Sequence, residues 1–183
     1  DLTPRNGDGT DYRYPVIHAA SGVSLLRLDD FKIRVRNIKT GQILANVVLK
    51  DRIAPANDDS KILFFSPAGD RFVVKLDDNR FQVHRTLTGK LQSVSEPQEV
   101  PFRSLVFSPE GQGLATSNAD RVLRVWDRES GKPLTAPLRH SVAIGRHVFS
   151  PDGNKVYSLD QSRKEARINH GILRVWDLSE GRA

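Results

Sequence analysis

The chain has 183 residues, of which 38% are hydrophobic and 7% aromatic, a length and composition that suit one soluble domain with its own core. The 28 Lys and Arg residues exceed the 22 Asp and Glu residues, giving a formal net charge of +6, but the basic residues are spread along the chain and form no cluster. No apolar run approaches the roughly 18 residues of a membrane span, no secretory signal peptide is visible, and the lack of Cys excludes disulfides and thiolate metal sites.

The first stretch of the chain, residues 1–13, is rich in Gly, Asp, Asn and Pro and predicts a linker or loop. Within it, the segment from Asn6 to Asp11 is faintly similar to a calcium-binding loop. The segment lacks the full set of alternating oxygen ligands and the terminal Glu of such a loop, so we interpret it as a turn.

A repeated pattern occupies the rest of the chain. The phrase Phe-Ser-Pro-x-Gly begins at Phe65, Phe107 and Phe149, and the pentapeptide Leu-Arg-Val-Trp-Asp occurs twice, ending at Asp127 and at Asp177. Eroded copies of the pentapeptide precede the first intact one. Self-similarity at a fixed step indicates a repeat architecture. We therefore divide the chain into four units, at about 14–49, 61–97, 104–139 and 146–183.

Each unit predicts short β-strands joined by tight turns, and the third unit shows this most clearly. Strands are predicted at 104–107, 113–117, 122–126 and 133–138, because alternating or β-branched residues are separated by Pro, Gly, Asn and Asp at turn positions. Four strands in about forty residues are typical of one blade of a β-propeller.

The repeated phrases resemble those of the WD-repeat (Trp-Asp) β-propellers, and the resemblance covers roughly residues 15–183. The phrase at 133–140 is also similar to bacterial arrays of this family. The resemblance implies an all-β fold of four-stranded antiparallel blades, with about four blades present. A closed ring usually has more blades, and closure protects sheet edges. We therefore expect a segment of a larger propeller, completed by further sequence or by another chain, for example a second copy.

The family resemblance also implies a buried hydrogen-bonded set in each blade, made of a His, a Ser or Thr, an Asp and the Trp. No unit carries the whole set, since Gln98 replaces the His in unit three and His170 replaces the Asp in unit four. A Ser, His and Asp together could also form a catalytic triad, but we interpret them as structural. The matching positions, with the Asp of each pentapeptide, are Thr116, Asp120, Trp126, Asp127, His140, Ser158, His170, Trp176, Asp177, Asp30 and Asp78.

The sequence carries no motif that points to catalysis or to a bound cofactor. The five His residues show no metal-ligand spacing, and the chain has no phosphate-binding loop, nucleophile elbow or dinucleotide fingerprint. We therefore expect no enzyme, no cofactor and no metal.

The predicted function is a cytoplasmic, non-enzymatic scaffold whose blade loops hold a protein or peptide partner. The candidate surfaces are the connection from Lys50 to Ser60, the charged insertion from Asp160 to Gly171 and a basic rim. The alternative is a basic module for an anionic ligand such as nucleic acid, whose binding would weaken steeply with salt. The candidate partner-binding residues are Arg103, Arg139, Arg146, His147, Arg163, Lys164 and Arg167.

Overall fold

The computed structural model describes residues 16–55, 62–160 and 172–179. The described residues form four separate antiparallel sheets, which we call blades one to four in chain order. This confirms the predicted all-β fold of propeller blades. Three blades have four strands and blade four has three, each sheet running in simple sequence order.

The strands have the following bounds. Blade one contains β1 (Val16–His18), β2 (Val23–Arg27), β3 (Lys32–Asn37) and β4 (Ile43–Val48). Blade two contains β5 (Leu63–Phe65), β6 (Arg71–Lys75), β7 (Phe81–Arg85) and β8 (Leu91–Val94). Blade three contains β9 (Phe102–Phe107), β10 (Gly113–Asn118), β11 (Val122–Asp127) and β12 (Leu138–Arg139). Blade four contains β13 (Ile144–Phe149), β14 (Lys155–Asp160) and β15 (Leu173–Asp177).

The Ser-Pro-x-Gly phrase is the turn between the first and second strands of a blade. In blade three the Gly111 N–H donates to the Ser108 carbonyl at 2.8 Å, and the Ser108 hydroxyl accepts from the Gly113 N–H at 2.9 Å. Gly111 has φ of 70°, the left-handed region that suits a residue without Cβ. The turn is therefore encoded locally, which explains why the phrase recurs.

The outermost strand of blade three is shorter than the sequence predicted. Only Leu138 and Arg139 pair with β11, and Pro133 forms a single bridge to Trp126. The strand expected at 133–138 contains Pro133 and Pro137, which have no N–H to donate to a ladder, so pairing is interrupted. At the other edge, β9 begins at Phe102, two residues before the predicted start, and its pairing with β10 contains a register shift.

The apolar cores lie between the blades and not within them. Each blade turns one face of its sheet toward the next blade and the opposite face toward the preceding one. The seam between blades two and three, for example, buries Val83 of β7 against Leu114 and Trp126, and the Trp126 ring meets Phe81 edge-on at 5.4 Å. The other two seams are built in the same way. No blade therefore has a complete hydrophobic core of its own.

Hydrogen bonds cross the seams beside these apolar contacts. Lys75 Nζ donates to the Phe102 carbonyl at 2.6 Å, and the Ser93 hydroxyl donates to the Arg128 carbonyl at 2.6 Å, both joining blade two to blade three. At the following seam, His147 Nε2 donates to the Ala115 carbonyl at 3.2 Å. Burial lowers the pKa of the Lys75 ammonium from its ordinary value.

Blade four exposes an apolar face whose equivalent in blade three is buried. Leu173 is 62% and Val175 54% exposed, whereas the equivalent residues of blade three, Leu123 and Val125, are fully buried by blade four. The strand register aligns Val175 with Tyr157 of β14 and Leu173 with Leu159. Val148 of β13 pairs with Tyr157 and is also exposed. We call Val148, Leu159, Leu173 and Val175 the open face.

Candidate functional site

A chain of four hydrogen-bonded side chains crosses the interior of blade four. Trp176 Nε1 donates to Ser158 Oγ at 2.8 Å, Ser158 Oγ lies 3.2 Å from His140 Nε2, and His140 Nδ1 lies 2.5 Å from Asp160 Oδ1. Because a carboxylate only accepts, His140 Nδ1 donates to Asp160, and His140 Nε2 shares a hydrogen bond with the Ser158 hydroxyl. Each donor in this chain therefore has an acceptor. Asp160 Oδ2 also lies 3.5 Å from Arg174 Nη2.

The carboxylate of this set is Asp160, which the sequence analysis did not single out. His170 was assigned to that position, but it lies outside the described residues. Asp160 is the last residue of β14, two positions after Ser158, where blade three has Asn118. In the family, the carboxylate lies a fixed number of residues before the Trp. Unit four has an insertion before β15, so the same count back from Trp176 leads to His170 and not to Asp160. The register of Ser158 and the alternation of β14 were the signals that could have found Asp160.

Blade three contains a shorter version of the same set. Trp126 Nε1 donates to Thr116 Oγ1 at 2.9 Å, and Thr116 Oγ1 donates to Gln98 Oε1 at 3.4 Å. Gln98 Nε2 and Asp120 Oδ1 are buried without a hydrogen-bond partner among the described residues. The geometry thus brings together Thr116, Trp126 and Gln98, but it does not join Asp120 to them.

The two early Asp positions serve other contacts. Asp30 Oδ1 accepts from Arg27 Nη2 at 2.7 Å, and Asp30 Oδ2 accepts from Arg52 Nη2 at 2.7 Å. The Arg52 and Arg27 guanidinium groups hold the pKa of Asp30 below its ordinary value. Asp78 forms an ion pair with its neighbour Arg80 at 2.5 Å. Neither carboxylate joins such a set, because the register places the apolar Leu26 and Val74 where blade four has Ser158.

The Asp of each pentapeptide organises the turn that follows it. Asp127 Oδ1 accepts from the Ser130 N–H at 2.7 Å and from the Ser130 hydroxyl at 2.6 Å. Asp177 Oδ1 accepts in the same way from Ser179, at 2.9 and 2.5 Å. The Ser179 hydroxyl is the main cause that holds the pKa of Asp177 below its ordinary value. Both carboxylates therefore shape the turn beyond the strand end.

Ser158, His140 and Asp160 stand in the order of a catalytic triad, but the environment is unsuited to nucleophilic attack. Ser158 is 0% exposed, and its oxygen accepts the Trp176 indole N–H. A nucleophile needs an open approach for the substrate and a free lone pair. The set instead satisfies polar groups inside the blade, where an unpaired group would cost about 1–3 kcal/mol.

The basic rim is only partly at the surface. Arg103, Arg139 and Arg146 are exposed and form no ion pair with the described residues. Arg103 and Arg146 lie near the starts of β9 and β13, and Arg139 at the end of β12, so antiparallel pairing sets all three at the same edge of their blades. His147, in contrast, is 4% exposed and contacts Ala115 across the seam. Including His147 in the rim was therefore wrong, because the alternation of β13 turns this side chain inward.

Burial also sets the protonation of His147. Desolvation lowers the pKa of the imidazole from its ordinary value of 6.5, and the nearby His140 acts in the same direction, while the hydrogen bond to Ala115 opposes them. The remaining residues predicted to bind a partner, Arg163, Lys164 and Arg167, lie outside the described residues.

A pocket of about 380 Å³ opens at the seam between blades three and four, at the edge of the Ser-Pro-x-Gly turns. We call it the seam pocket. No pattern in the sequence predicts it. Within the described ranges, no group of three or more His, Asp or Glu residues could hold a metal ion. No helix in the described part of the chain has the length and hydrophobicity to cross a membrane.

Comparison with known proteins shows what the chain is similar to. Periodic tryptophan protein 2 of Arabidopsis thaliana is 32% identical over 116 residues, which are 63% of this chain and 12% of that protein. The coronin-like protein of Saccharomyces cerevisiae is 27% identical over 135 residues, 70% of this chain and 18% of that protein. The WD repeat-containing protein 91 homolog of Dictyostelium discoideum is 24% identical over 140 residues, 74% of this chain and 18% of that protein.

A solved structure shows the fold independently. The protein described as KlHsv2 with loop 6CD replaced by a Gly-Ser linker superposes with a TM-score of 0.63 at 13% identity, covering 93% of this chain and 52% of that one. No family model matches the chain. The chain has the blades of a β-propeller and is similar in sequence to WD-repeat proteins. These relatives are eukaryotic, so the resemblance to bacterial arrays finds no support.

Proposed function

We propose that this chain is a WD-repeat scaffold that binds protein partners and catalyses no reaction. The open face of blade four carries the proposal, because a cluster of exposed Leu and Val on an ordered sheet favours coverage by another protein surface. The buried Ser158, His140 and Asp160 support it, since their hydrogen bonds are used within the blade. The relatives span several protein types and share the repeat, which favours a binding role over one chemistry.

The open face fits one occupant best, a further propeller blade. Blade three shows what such a face accepts, because its Val125 and Leu123 pack against Val156, Phe149 and Trp176 of blade four. A second copy joined head to tail would instead bring the opposite face of blade one, where Arg34 and Arg36 lie in register with Leu26 and Ser24. Covering Leu173 and Val175 with two guanidinium groups would be costly, so the proposal is that a partner protein covers the open face with an apolar blade.

The basic rim is the second proposed contact. Arg103, Arg139 and Arg146 have no described carboxylate partner, so they are available to an acidic segment of a partner protein. We assign this scaffold to the cytoplasm, and the segments 50–60 and 160–171 remain proposed contact loops.

Affinity capture with the full chain tests this proposal. Three forms are compared: the wild type, the open-face variant Val175→Lys, and a rim variant with Arg103, Arg139 and Arg146 each changed to Glu. We expect the wild type to capture protein partners even after nuclease treatment. At least one of the two variants should no longer capture them. Capture of nucleic acid, with an affinity that falls steeply between low and high salt, would contradict the scaffold function and favour the anionic-ligand module instead. Turnover of a captured small molecule would contradict the non-enzymatic assignment.

A further inference from the structure

One arginine of blade three has an unusual backbone conformation. Arg121 directly precedes β11 and has φ of 65°, in the left-handed region that disfavours a residue with a Cβ. Among the described residues, Asn79 is the other non-glycine residue with positive φ, and both lie in the turn between the second and third strands of a blade. Asparagine tolerates this conformation because its short side chain can bond locally. Arginine has no such compensation, so the strain at Arg121 points to a role outside the turn.

The contacts of Arg121 hold its guanidinium in one orientation at the surface. Its Nη1 donates to the Ser141 carbonyl at 2.8 Å, and its own carbonyl accepts from the His140 N–H at 2.9 Å. Both contacts join the turn to the segment that leads into blade four. The side chain is exposed and forms no ion pair with the residues that the structure describes. A guanidinium has five N–H donors in a fixed fork, so this one can still bind a carboxylate.

Three arginines cross the same edge of blade three. Arg103 is the second residue of β9, Arg121 precedes β11, and Arg139 is the last residue of β12. Because the strands are antiparallel and neighbouring strands lie about 4.8 Å apart, these backbone positions span roughly 15 Å across the sheet. All three side chains are exposed, and none forms an ion pair with the described residues. An extended peptide of about five residues covers this distance.

The carboxylates near this edge do not neutralise it. Asp120, the neighbour of Arg121, is half-buried, and the exposed Glu96 and Glu99 lie in the connection that leads from blade two into β9. None of the three forms an ion pair within the described part of the chain. On the other side, Arg146 of β13 extends the positive charge toward blade four. An anionic ligand is therefore favoured over blade three and the start of blade four.

We propose that Arg121 is the anchor of a binding site for an extended acidic segment of a protein partner, which crosses the strand ends of blade three and contacts Arg103 and Arg139. The left-handed backbone sets the direction of the Arg121 side chain, and the Ser141 carbonyl fixes the guanidinium, so a carboxylate meets a preoriented fork. The inference rests on the proposed scaffold function, adds Arg121 to the basic rim and names the chemistry of one partner contact.

The test uses the full chain at about 0.15 M salt, where exposed charges more than about 8 Å apart are largely screened. The probes are hexaglutamate and the uncharged hexaglutamine, and backbone NMR shifts at Arg103, Arg121 and Arg139 report binding. We expect hexaglutamate to bind and hexaglutamine to cause no shifts. Arg121→Gln should weaken hexaglutamate binding about fivefold. Lys132→Gln removes the same charge at the opposite edge of blade three and should keep the affinity within about twofold of the wild type.

A glycine variant separates binding from folding. Arg121→Gly removes the guanidinium together with the backbone strain, so it should weaken hexaglutamate binding as Arg121→Gln does, while the unfolding temperature stays unchanged or rises. Asn79→Gly, a change at the matching turn of blade two, should leave binding unchanged.

Four results would overturn the proposal. The first is a lower unfolding temperature of Arg121→Gly, which would assign the arginine to the fold. The second is wild-type affinity of Arg121→Gly for hexaglutamate. The third is an equal loss of affinity in Lys132→Gln, which would show attraction to the net charge alone. The fourth is binding of hexaglutamine as tight as that of hexaglutamate.

The captured partner separates this inference from the scaffold function. A partner that binds Arg121→Gly more weakly than the wild type and is displaced by hexaglutamate supports the site. A partner that binds Arg121→Gly and the wild type equally overturns the site and leaves the scaffold function standing.

Discussion

At the scale of single residues, the polar interior of blade four is a connected chain of donors and acceptors. Removing the Ser158 hydroxyl leaves the Trp176 indole N–H and the His140 Nε2 without their partner. We expect Ser158→Ala to lower the free energy of unfolding by about 1–3 kcal/mol, because buried polar groups that lose a partner remain desolvated. Urea denaturation followed by Trp fluorescence measures this change.

The matched control for that variant is Ser104→Ala. Ser104 is a half-buried strand residue of blade three, and its hydroxyl makes no hydrogen bond with the described residues. We expect a change within about 0.5 kcal/mol. Equal effects of the two substitutions would show that the Ser158 hydrogen bonds contribute nothing to stability.

His147 gives the molecule a pH dependence of defined sign. Its pKa is lowered by burial, so the unfolded chain binds a proton more readily than the folded one between the folded pKa and 6.5. The stability that depends on neutral His147 is therefore fully present above pH 6.5 and is lost as the pH falls through the folded pKa. We expect the unfolding temperature to fall between pH 7 and pH 5, and His147→Asn to reduce that fall. An unchanged pH profile in the variant would contradict this assignment.

The residue scale also shows what sequence could and could not predict. The resemblance to WD-repeat proteins implied the pairs Thr116–Trp126 and Ser158–Trp176, and both hydrogen bonds are present. Asp160 was not predicted, since an insertion shifts the position from which the carboxylate comes. The inward side chain of His147 was missed because the apolar Val148 beside it suggests the opposite alternation, whereas Val148 lies on the open face.

At the scale of the elements, one turn glycine is held by the neighbouring blade. Gly131 has φ of 72°, and a Cβ built there would lie 2.7 Å from the Val94 carbonyl carbon of blade two. Gly41 has a similar φ of 70°, but a Cβ there would meet nothing within 4 Å. The two positions thus share the backbone conformation and differ in their surroundings.

We expect Gly41→Ala to cost about 1–2 kcal/mol, the price of a left-handed conformation for a residue with Cβ. Gly131→Ala should cost clearly more, because the outer strand of blade two must also move. Thermal unfolding of the two variants measures the difference. Similar unfolding temperatures would show that the contact between this turn and β8 is loose.

The strands themselves were the most predictable part of the fold. Turn residues and alternation placed β10 and β11 within one residue at each end, because both signals are local. The outer strand β12 was overestimated, since its two residues are what remains where Pro133 and Pro137 cannot donate. The seam pocket could not be predicted from the sequence, because it depends on how blades three and four pack against each other.

At the scale of the whole molecule, the equivalent apolar faces of blades three and four differ in exposure. Val125 of blade three is 0% exposed, whereas the equivalent Val175 of blade four is 54% exposed. We expect Val125→Lys to abolish cooperative folding or to cost more than about 3 kcal/mol, because a charge is buried at a seam. Val175→Lys should change the stability of the isolated chain by less than about 1 kcal/mol.

Sedimentation adds a second measurement to this pair. If another surface covers the open face in solution, Val175→Lys lowers the sedimenting mass or removes a bound partner. Strong destabilisation of a monomeric chain by Val175→Lys would show that the face is already covered within the chain.

The sharing of each core between two blades has a consequence for how such a chain can lengthen or shorten. A cut or join within a blade splits hydrogen-bonded strands and leaves an apolar face half built. A cut between blades, as in the segment between Arg139 and Ile144, exposes one seam and leaves every sheet whole. Insertions and deletions of one whole repeat should therefore be tolerated best, because the remaining blades keep their interfaces.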